Sequence, residues 1–271
     1  MTITGPTLAR DLAVGVGAGL MSGFFGVGGG IIIIPILVLV LHFAQKRAQA
    51  TSLVMVSCAA TAGVITYATA SYVAWLPALF IILGSLTGVW IGSHFVQKLP
   101  DRKLQLAFGL FLILIALYML LSNPDAAASE LPTLTALPNL TALVVIGYLL
   151  AGFAMGVLSA MLGVGGGILL IPMLIYFFGF PQLLASGTSL LAMIPTALLG
   201  ATRLSRAGLT DWPMGLRLGA GAVCGALVGA MLAQRASSSV LLIGFALLLI
   251  AVASQMLWRS LRHDPKTHTA S

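Results

Sequence analysis

The sequence predicts an all-α polytopic membrane protein with two inverted-topology repeats and about ten membrane segments, five in each repeat. Of its 271 residues, 59% are hydrophobic and only 7% are charged, whereas a soluble domain carries about 25% charged residues. Apolar runs long enough to cross a bilayer recur, for example over residues 76–95, 104–121 and 240–257. We expect helices because these runs lack the alternation of barrel strands and because a helix satisfies its own backbone polar groups.

An internal repeat is the second observation behind this prediction. When the chain is shifted by 137 residues, residues 19–120 align with 156–257 without a gap, and roughly a third of the aligned residues are identical. The matches concentrate in short motifs, above all GVGGGI and TSL. We therefore divide the chain into a first membrane repeat (1–121), a linker (122–140) rich in Pro, Ala and polar residues, and a second, inverted repeat (141–271).

The positions of the basic residues predict the inversion. In the first copy they cluster at 46–47 and 98–103, and in the second at 203–206 and 259–266, which are not the equivalent loops. Because loops rich in Lys and Arg stay in the cytoplasm, equivalent loops lie on opposite sides of the membrane. Both termini are then cytoplasmic and the linker is extracytoplasmic, provided that Arg217 snorkels from the first turns of its helix. The net charge of +7 is thus read as a topology signal and not as a nucleic-acid surface.

Each repeat contains three clear crossings, preceded by a segment that the glycines interrupt. This segment must contribute an even number of crossings, as two short spans or as a hairpin that turns back within the membrane. Its arm after the first glycines has thirteen residues, roughly 20 Å of helix, against a hydrocarbon core of ~30 Å. We favour five segments per repeat, with a re-entrant hairpin as the alternative. The clear crossings are predicted at 50–69, 76–97, 103–121, 187–205, 213–233 and 239–258.

The duplicated GVGGG motif is the candidate binding element. Non-helical backbone at membrane depth is tolerated only where it is buried in protein or lines a cavity. Glycines just before a helix leave backbone N–H groups free at the positive end of the helix dipole, which suits an anion. In an inverted repeat the two motifs face a common midpoint. The alternative is that the glycines only let helices cross closely. The predicted substrate-binding glycines are Gly28, Gly29, Gly30, Gly165, Gly166 and Gly167.

Four hydroxyl residues complete the candidate site. Thr51 and Ser52, and their counterparts Thr188 and Ser189, lie in the first turns of the next helix of each copy. Their hydroxyls either donate to substrate, or cap the helix and bond to the preceding turn. Rows of small residues four apart predict close helix contacts and no site. These rows are Gly84/Gly88/Gly92, Gly221/Gly225/Gly229, Gly15/Gly19/Gly23 and Gly152/Gly156/Ala160.

No catalytic residue, metal site or cofactor is predicted, and we expect no enzyme. The sequence offers no paired carboxylates, His cluster or Cys-x-x-Cys. Cys58 and Cys224 lie in apolar segments, where we expect buried thiols and no disulfide.

The two motifs resemble those of the TauE/SafE family of sulfite exporters and related anion permeases. They are GFFGVGGGIIIIP with ATSL in the first copy, and SAMLGVGGGILLIP with GTSL in the second, where Ala160 stands in the place of Gly23. The resemblance implies a bacterial inner-membrane carrier for sulfite, sulfonates or other small organosulfur anions, with the glycines, Thr and Ser residues named above at its site.

We therefore expect a secondary transporter of a small anion that works by alternating access, with the site at the repeat interface. Its expected partners are the small anionic substrate and the lipid bilayer, with a homo-oligomer as a further possibility and no nucleic acid. A passive anion channel and a permease for a non-sulfur organic anion are the alternatives.

Overall fold

The computed structural model describes residues 5–95, 101–121 and 142–262. Within these ranges the chain forms ten α-helices and no β-strand, which confirms the predicted all-α class. The predicted linker, residues 122–140, lies outside the described residues. The helices are α1 (Gly5–Phe25), α2 (Gly30–Leu39), α3 (Gln45–Thr69), α4 (Trp75–Phe95), α5 (Asp101–Leu121), α6 (Ala142–Leu162), α7 (Gly167–Phe178), α8 (Gln182–Arg206), α9 (Trp212–Arg235) and α10 (Ser238–Arg262).

Seven of the described helices are long and apolar enough to cross a membrane, as a multi-pass protein requires. Five of them match predicted crossings, namely α3, α4, α8, α9 and α10. The sixth predicted crossing, 103–121, falls within the 21-residue helix α5, which contains the shorter apolar stretch Leu112–Leu121. The remaining two long helices, α1 and α6, are the arms that precede the glycine motifs.

The helices that follow the glycine motifs are short, as the sequence predicts. α2 has 10 residues and α7 has 12, or ~15 Å and ~18 Å at the usual rise per residue. Neither length covers a hydrocarbon core of ~30 Å. The arms before the motifs are different, because α1 and α6 each have 21 residues. The glycine-interrupted segment is therefore one long helix joined to one short helix, and not two short spans.

Two pairs of helices pack along each other with backbones in close approach. α1 packs on α9, and α4 packs on α6. Many of the close glycine approaches lie in the predicted rows: Cβ atoms on Gly15 and Gly225 would overlap the carbonyl oxygens of Leu218 and Val16. This confirms that the rows with a four-residue spacing are packing faces.

The packing is reciprocal between the two copies. The first helix of the first copy, α1, lies on the fourth helix of the second copy, α9, while α6 and α4 make the equivalent pair. The third helices, α3 and α8, contact each other, and each also contacts the fourth helix of the other copy. The core is thus centred on α3 and α8, with each copy completing the other.

A charged cluster joins α1 to α9. Asp11 is buried, with 2% of its surface exposed, and its carboxylate lies 3.6 Å from Arg217 and 3.2 Å from Arg10. Arg217 is therefore held by a buried carboxylate of the neighbouring helix, a partner that the snorkelling interpretation did not include. The expectation of two buried thiols is wrong, because Cys224 is exposed and Cys58 is half-buried.

Candidate functional site

Each GVGGG motif forms the same turn between a long helix and a short one. Gly26, Gly28 and Gly29 have φ values of 75°, 89° and 68°, and their counterparts Gly163, Gly165 and Gly166 have 70°, 86° and 81°. These values lie in the left-handed region, where a side chain costs about 1–2 kcal/mol per residue. Three glycines in five residues are therefore required by the turn itself, and the same turn is built twice.

The turns leave backbone donors without acceptors at the starts of α2 and α7. The first hydrogen bonds of these helices run from Ile32 and Leu169 to the carbonyl oxygens of the N-cap glycines, each at 3.2 Å. Among the described residues, nothing accepts a hydrogen bond from the N–H groups of the last three glycines of each motif, whereas those of Gly26 and Gly163 are bonded. All of these glycines are buried. Buried N–H groups without partners are rare in proteins, so the two helix starts are candidates for binding an acceptor. The donors belong to Gly28, Gly29, Gly30, Gly165, Gly166 and Gly167.

The two turns come together at the centre of the molecule. The Ser52 hydroxyl lies 2.5 Å from the carbonyl oxygen of Gly163 and 2.7 Å from that of Gln49. In the equivalent arrangement, the Ser189 hydroxyl donates to the carbonyl oxygen of Gly26 at 3.1 Å. Each serine thus fastens the glycine turn of the other copy, and both serines are fully buried.

The first residues of α2 and α7 also pack against the glycine turn of the other copy. A Cβ on Gly30 would lie 2.8 Å from the carbonyl oxygen of Gly163 and 2.7 Å from the Cα of Val164. A Cβ on Gly167 would lie 2.9 Å from the carbonyl oxygen of Gly26. Gly30 and Gly167 have ordinary helical φ values, so close packing between the copies, and not backbone conformation, requires glycine there.

The two threonines are engaged with the backbone of the other copy. Thr51 Oγ1 accepts a hydrogen bond from the N–H of Asp211 at 3.1 Å, and Thr188 Oγ1 accepts one from Ala74 at 3.0 Å. Both threonines are fully buried. These bonds anchor the chain just before α9 and α4, which favours the structural interpretation of Thr51 and Thr188 over direct substrate contact.

Met193 and Val56 occupy the meeting point of the turns, and the sequence analysis missed both. They are equivalent residues of α8 and α3, and both are fully buried. Cβ atoms on Gly28 and Gly165 would overlap the same atom, the terminal methyl carbon of Met193. They would also lie 3.0 Å and 2.7 Å from one methyl carbon of Val56. The sequence could have pointed to Val56 and Met193, because they lie one helical turn after Ser52 and Ser189.

Ser22 and Ser159 are two further polar residues that the sequence analysis missed. Both are fully buried, and neither hydroxyl has a hydrogen-bond partner among the described residues. They are equivalent residues one turn before the motifs, and their carbonyl oxygens accept the N–H groups of Gly26 and Gly163 at 2.8 and 2.9 Å. The sequence could have pointed to them, because a serine stands four residues before the GVGGG motif in both copies.

These serines lie on helix faces that approach the turns. Ser22 follows Ala18 by one turn, and a Cβ on Gly29 would overlap the carbonyl oxygen of Ala18. Ser159 follows Met155 by one turn, and a Cβ on Gly166 would lie 2.6 Å from the carbonyl oxygen of Met155. Residues four apart share a helix face, so Ser22 and Ser159 lie on the faces that approach the turns of their own copies.

The residues that meet here are uncharged. The ion pairs of the described residues lie outside this meeting point. One of them joins Arg47 to Asp211 at 2.9 Å. Within the part of the chain that the structure describes, no three His, Cys, Asp or Glu residues are grouped so that they could hold a metal ion. The candidate site therefore offers hydrogen-bond donors, helix dipoles and small apolar groups.

These features define a multi-pass helical membrane protein with a duplicated glycine turn, a candidate donor site, between its two copies. The family described as Sulfite exporter TauE/SafE matches the chain over residues 2–119 and 148–271, and the chain belongs to this family of membrane transporters.

Curated relatives are named only as probable membrane transporter proteins. One from Xylella fastidiosa is 33% identical over 259 residues, covering 93% of this chain and 97% of its own. YunE of Bacillus subtilis is 24% identical over 265 residues, covering 92% and 97%, and YdhB of the same organism is 26% identical over 218 residues, covering 78% and 84%. No solved structure matches the chain significantly.

Proposed function

We propose that this protein is a secondary transporter of a small anion, namely sulfite, a sulfonate or another small organosulfur anion, bound between the two glycine turns. The observation that carries the proposal is the pair of helix starts with buried, unpartnered N–H groups, brought together by Ser52 and Ser189. Membership of the sulfite exporter family supports the choice of sulfur oxyanions.

The chemistry of the site suits an oxyanion. The free N–H groups and the positive dipole ends of α2 and α7 favour negative charge without any cationic side chain. Several oxygens on one small ion can accept from both turns at once. The unpartnered hydroxyls of Ser22 and Ser159 supply further donors next to the turns. An anion bound without a fixed counter-charge is also easily released, as a transporter requires.

The transport cycle is alternating access between inverted repeats in a bacterial inner membrane, with both termini in the cytoplasm. The reversed placement of Lys and Arg in the two copies supports the inversion. The reciprocal packing of α1 on α9 and of α6 on α4 is what two copies related by a two-fold axis would produce. Movement of one copy against the other then opens the central site to either side.

Export needs no coupling ion in this proposal. A membrane potential that is negative inside expels an anion with about 2.3 kcal/mol per charge per 100 mV. Export of sulfite can therefore run on the potential alone, whereas import would require a co-transported cation.

The test is transport by the purified full chain in proteoliposomes. We expect sulfite flux that saturates with concentration, accelerates with an imposed potential and shows counterflow of labelled sulfite. Flux that does not saturate and lacks counterflow would identify a channel instead. If neither sulfite nor a small sulfonate crosses, while the protein is folded and inserted, the proposed substrate class is wrong.

A further inference from the structure

We infer that the Met193 side chain is a displaceable plug that occupies the anion position, and that it sets the size of the anion accepted. This inference rests on the proposed function. It assigns a role in specificity to a residue that lies outside both glycine motifs and outside the TSL elements.

Contacts with both turns place Met193 against the glycines that carry the free donors. Its terminal methyl group fills the space in front of Gly28 and also the space in front of Gly165. Its sulfur is 2.8 Å from the position of a Cβ on Gly167, at the start of α7. One side chain from α8 thus contacts the donor-bearing glycines of both copies, and it is fully buried there.

The chemistry of the contact favours displacement. A methyl group cannot accept a hydrogen bond, so the glycine N–H groups stay unpartnered while Met193 is in place. An anion that takes its position gains those donors. The only polar contact of the side chain among the described residues is weak, with the Ser189 hydroxyl 3.7 Å from the sulfur.

Flexibility differs between the two equivalent residues. Met193 is unbranched and has three rotatable bonds, so it can fold aside at small cost. Val56 is β-branched, and one rotamer dominates for such residues in a helix. The moving part therefore belongs to the second copy, while Val56 forms a fixed wall. The volume that Met193 vacates, bounded by Val56, limits the anion.

A first experiment follows the Met193 methyl group directly in the wild-type protein. The full chain is labelled with ¹³C at its methionine methyl groups, the Met193 signal is assigned with Met193→Leu, and sulfite is titrated in. We expect the Met193 signal to move with the same concentration dependence as binding measured independently. The signal of Met119, which is buried in α5 and belongs to neither motif, should stay in place.

A second experiment tests the size limit. Met193→Ala should shift the preference between ethanesulfonate and sulfite towards the larger anion by about tenfold or more, because the pocket grows by several heavy atoms. Met193→Leu keeps the volume and should keep the preference, and Met119→Ala, which truncates a buried methionine of α5, should also leave the preference unchanged. If Met193→Ala fails to fold, the methyl titration of the wild-type chain still tests whether the anion displaces Met193.

The outcomes separate the plug from the proposed function. Binding of sulfite with an unchanged Met193 signal overturns the plug and leaves the anion site standing. An unchanged size preference in folded Met193→Ala does the same. If the wild-type chain binds neither sulfite nor ethanesulfonate, the proposed function fails, and the plug fails with it.

Discussion

The Ser52 hydroxyl lies 2.5 Å from the carbonyl oxygen of Gly163, so the third helix of one copy holds the glycine turn of the other. Ser189 and Gly26 make the equivalent contact at 3.1 Å. A hydroxyl that is fully buried and bonded across the repeat interface fixes where the two turns stand relative to each other.

Ser52→Ala is therefore expected to destabilise the protein by about 1–3 kcal/mol, because the Gly163 carbonyl loses its partner in a buried position. Ser189→Ala should behave similarly. Thermal unfolding in detergent measures the effect. Ser57→Ala is the matched control, since the Ser57 hydroxyl donates to the carbonyl of Val54 in its own helix. Equal unfolding temperatures for Ser52→Ala and Ser57→Ala would contradict a role for Ser52 in joining the copies.

Ser22→Ala and Ser159→Ala are expected to show the opposite pattern. Removing a buried hydroxyl that has no partner should leave the stability unchanged or raise it, whereas sulfite affinity should fall if these hydroxyls donate to the anion. Unfolding temperature and binding are measured on the same samples. Ser85→Ala controls for a buried serine that has a partner, because its hydroxyl contacts Thr196 at 2.6 Å. Undiminished affinity in the double variant of Ser22 and Ser159 would remove them from the site.

Gly28→Ala and Gly165→Ala test the turns themselves. Each alanine adds about 1–2 kcal/mol of backbone strain at positive φ and also pushes its methyl group into the meeting point. We expect a loss of sulfite binding beyond the loss of stability. Gly179→Ala separates the two effects, because Gly179 has a φ of 68° with open space in front of it. If Gly179→Ala weakens binding as much as Gly28→Ala does, the turns are not the site.

The buried carboxylate of Asp11 is expected to be structural. Asp11→Asn removes the charge that faces Arg217, which should cost about 2 kcal/mol, less than the 3–5 kcal/mol of a fully buried pair because 29% of the Arg217 side chain is exposed. The double variant Asp11→Leu with Arg217→Met should recover much of this stability. A double-mutant cycle of unfolding free energies measures the coupling. Transport lost in a stable double variant would instead point to a role in the cycle.

The inversion of the repeats can be tested at equivalent loop positions. Ser71 and Gly208 correspond across the repeat, and both have positive φ values. In a background without Cys58 and Cys224, the proposed topology predicts that Ser71→Cys reacts with an impermeant thiol reagent from outside the cell. Gly208→Cys should react only after permeabilisation. Labelling of both positions from the same side would contradict inverted repeats.

Local features of the site were predictable from the sequence, and features that depend on packing between the copies were not. The breaks at GVGGG follow from local backbone chemistry, and the glycine rows follow from helical spacing, so both could be predicted. Met193 lies 26 residues or more from every motif glycine it contacts, and Gly28 belongs to the other copy. Such contacts depend on how α3 and α8 cross, which no local pattern specifies.

The same limit applies to the hydroxyls. Thr51, Ser52, Thr188 and Ser189 could be singled out from their repetition, but the repetition did not reveal that the threonines accept from the loops before α9 and α4. Asp11 and Arg217 lie at non-equivalent positions of the repeat, so their ion pair left no trace in the alignment of the copies.

The central claim is that one anion binds between the two glycine turns. Crystals of the full chain soaked with selenite, the heavier analogue of sulfite, test it through the anomalous signal of selenium. The account predicts one strong peak between Gly28 and Gly165, with oxygens within about 3 Å of glycine nitrogens and the Met193 side chain moved aside. A peak confined to surface arginines such as Arg47, with Met193 still between the turns, would contradict it.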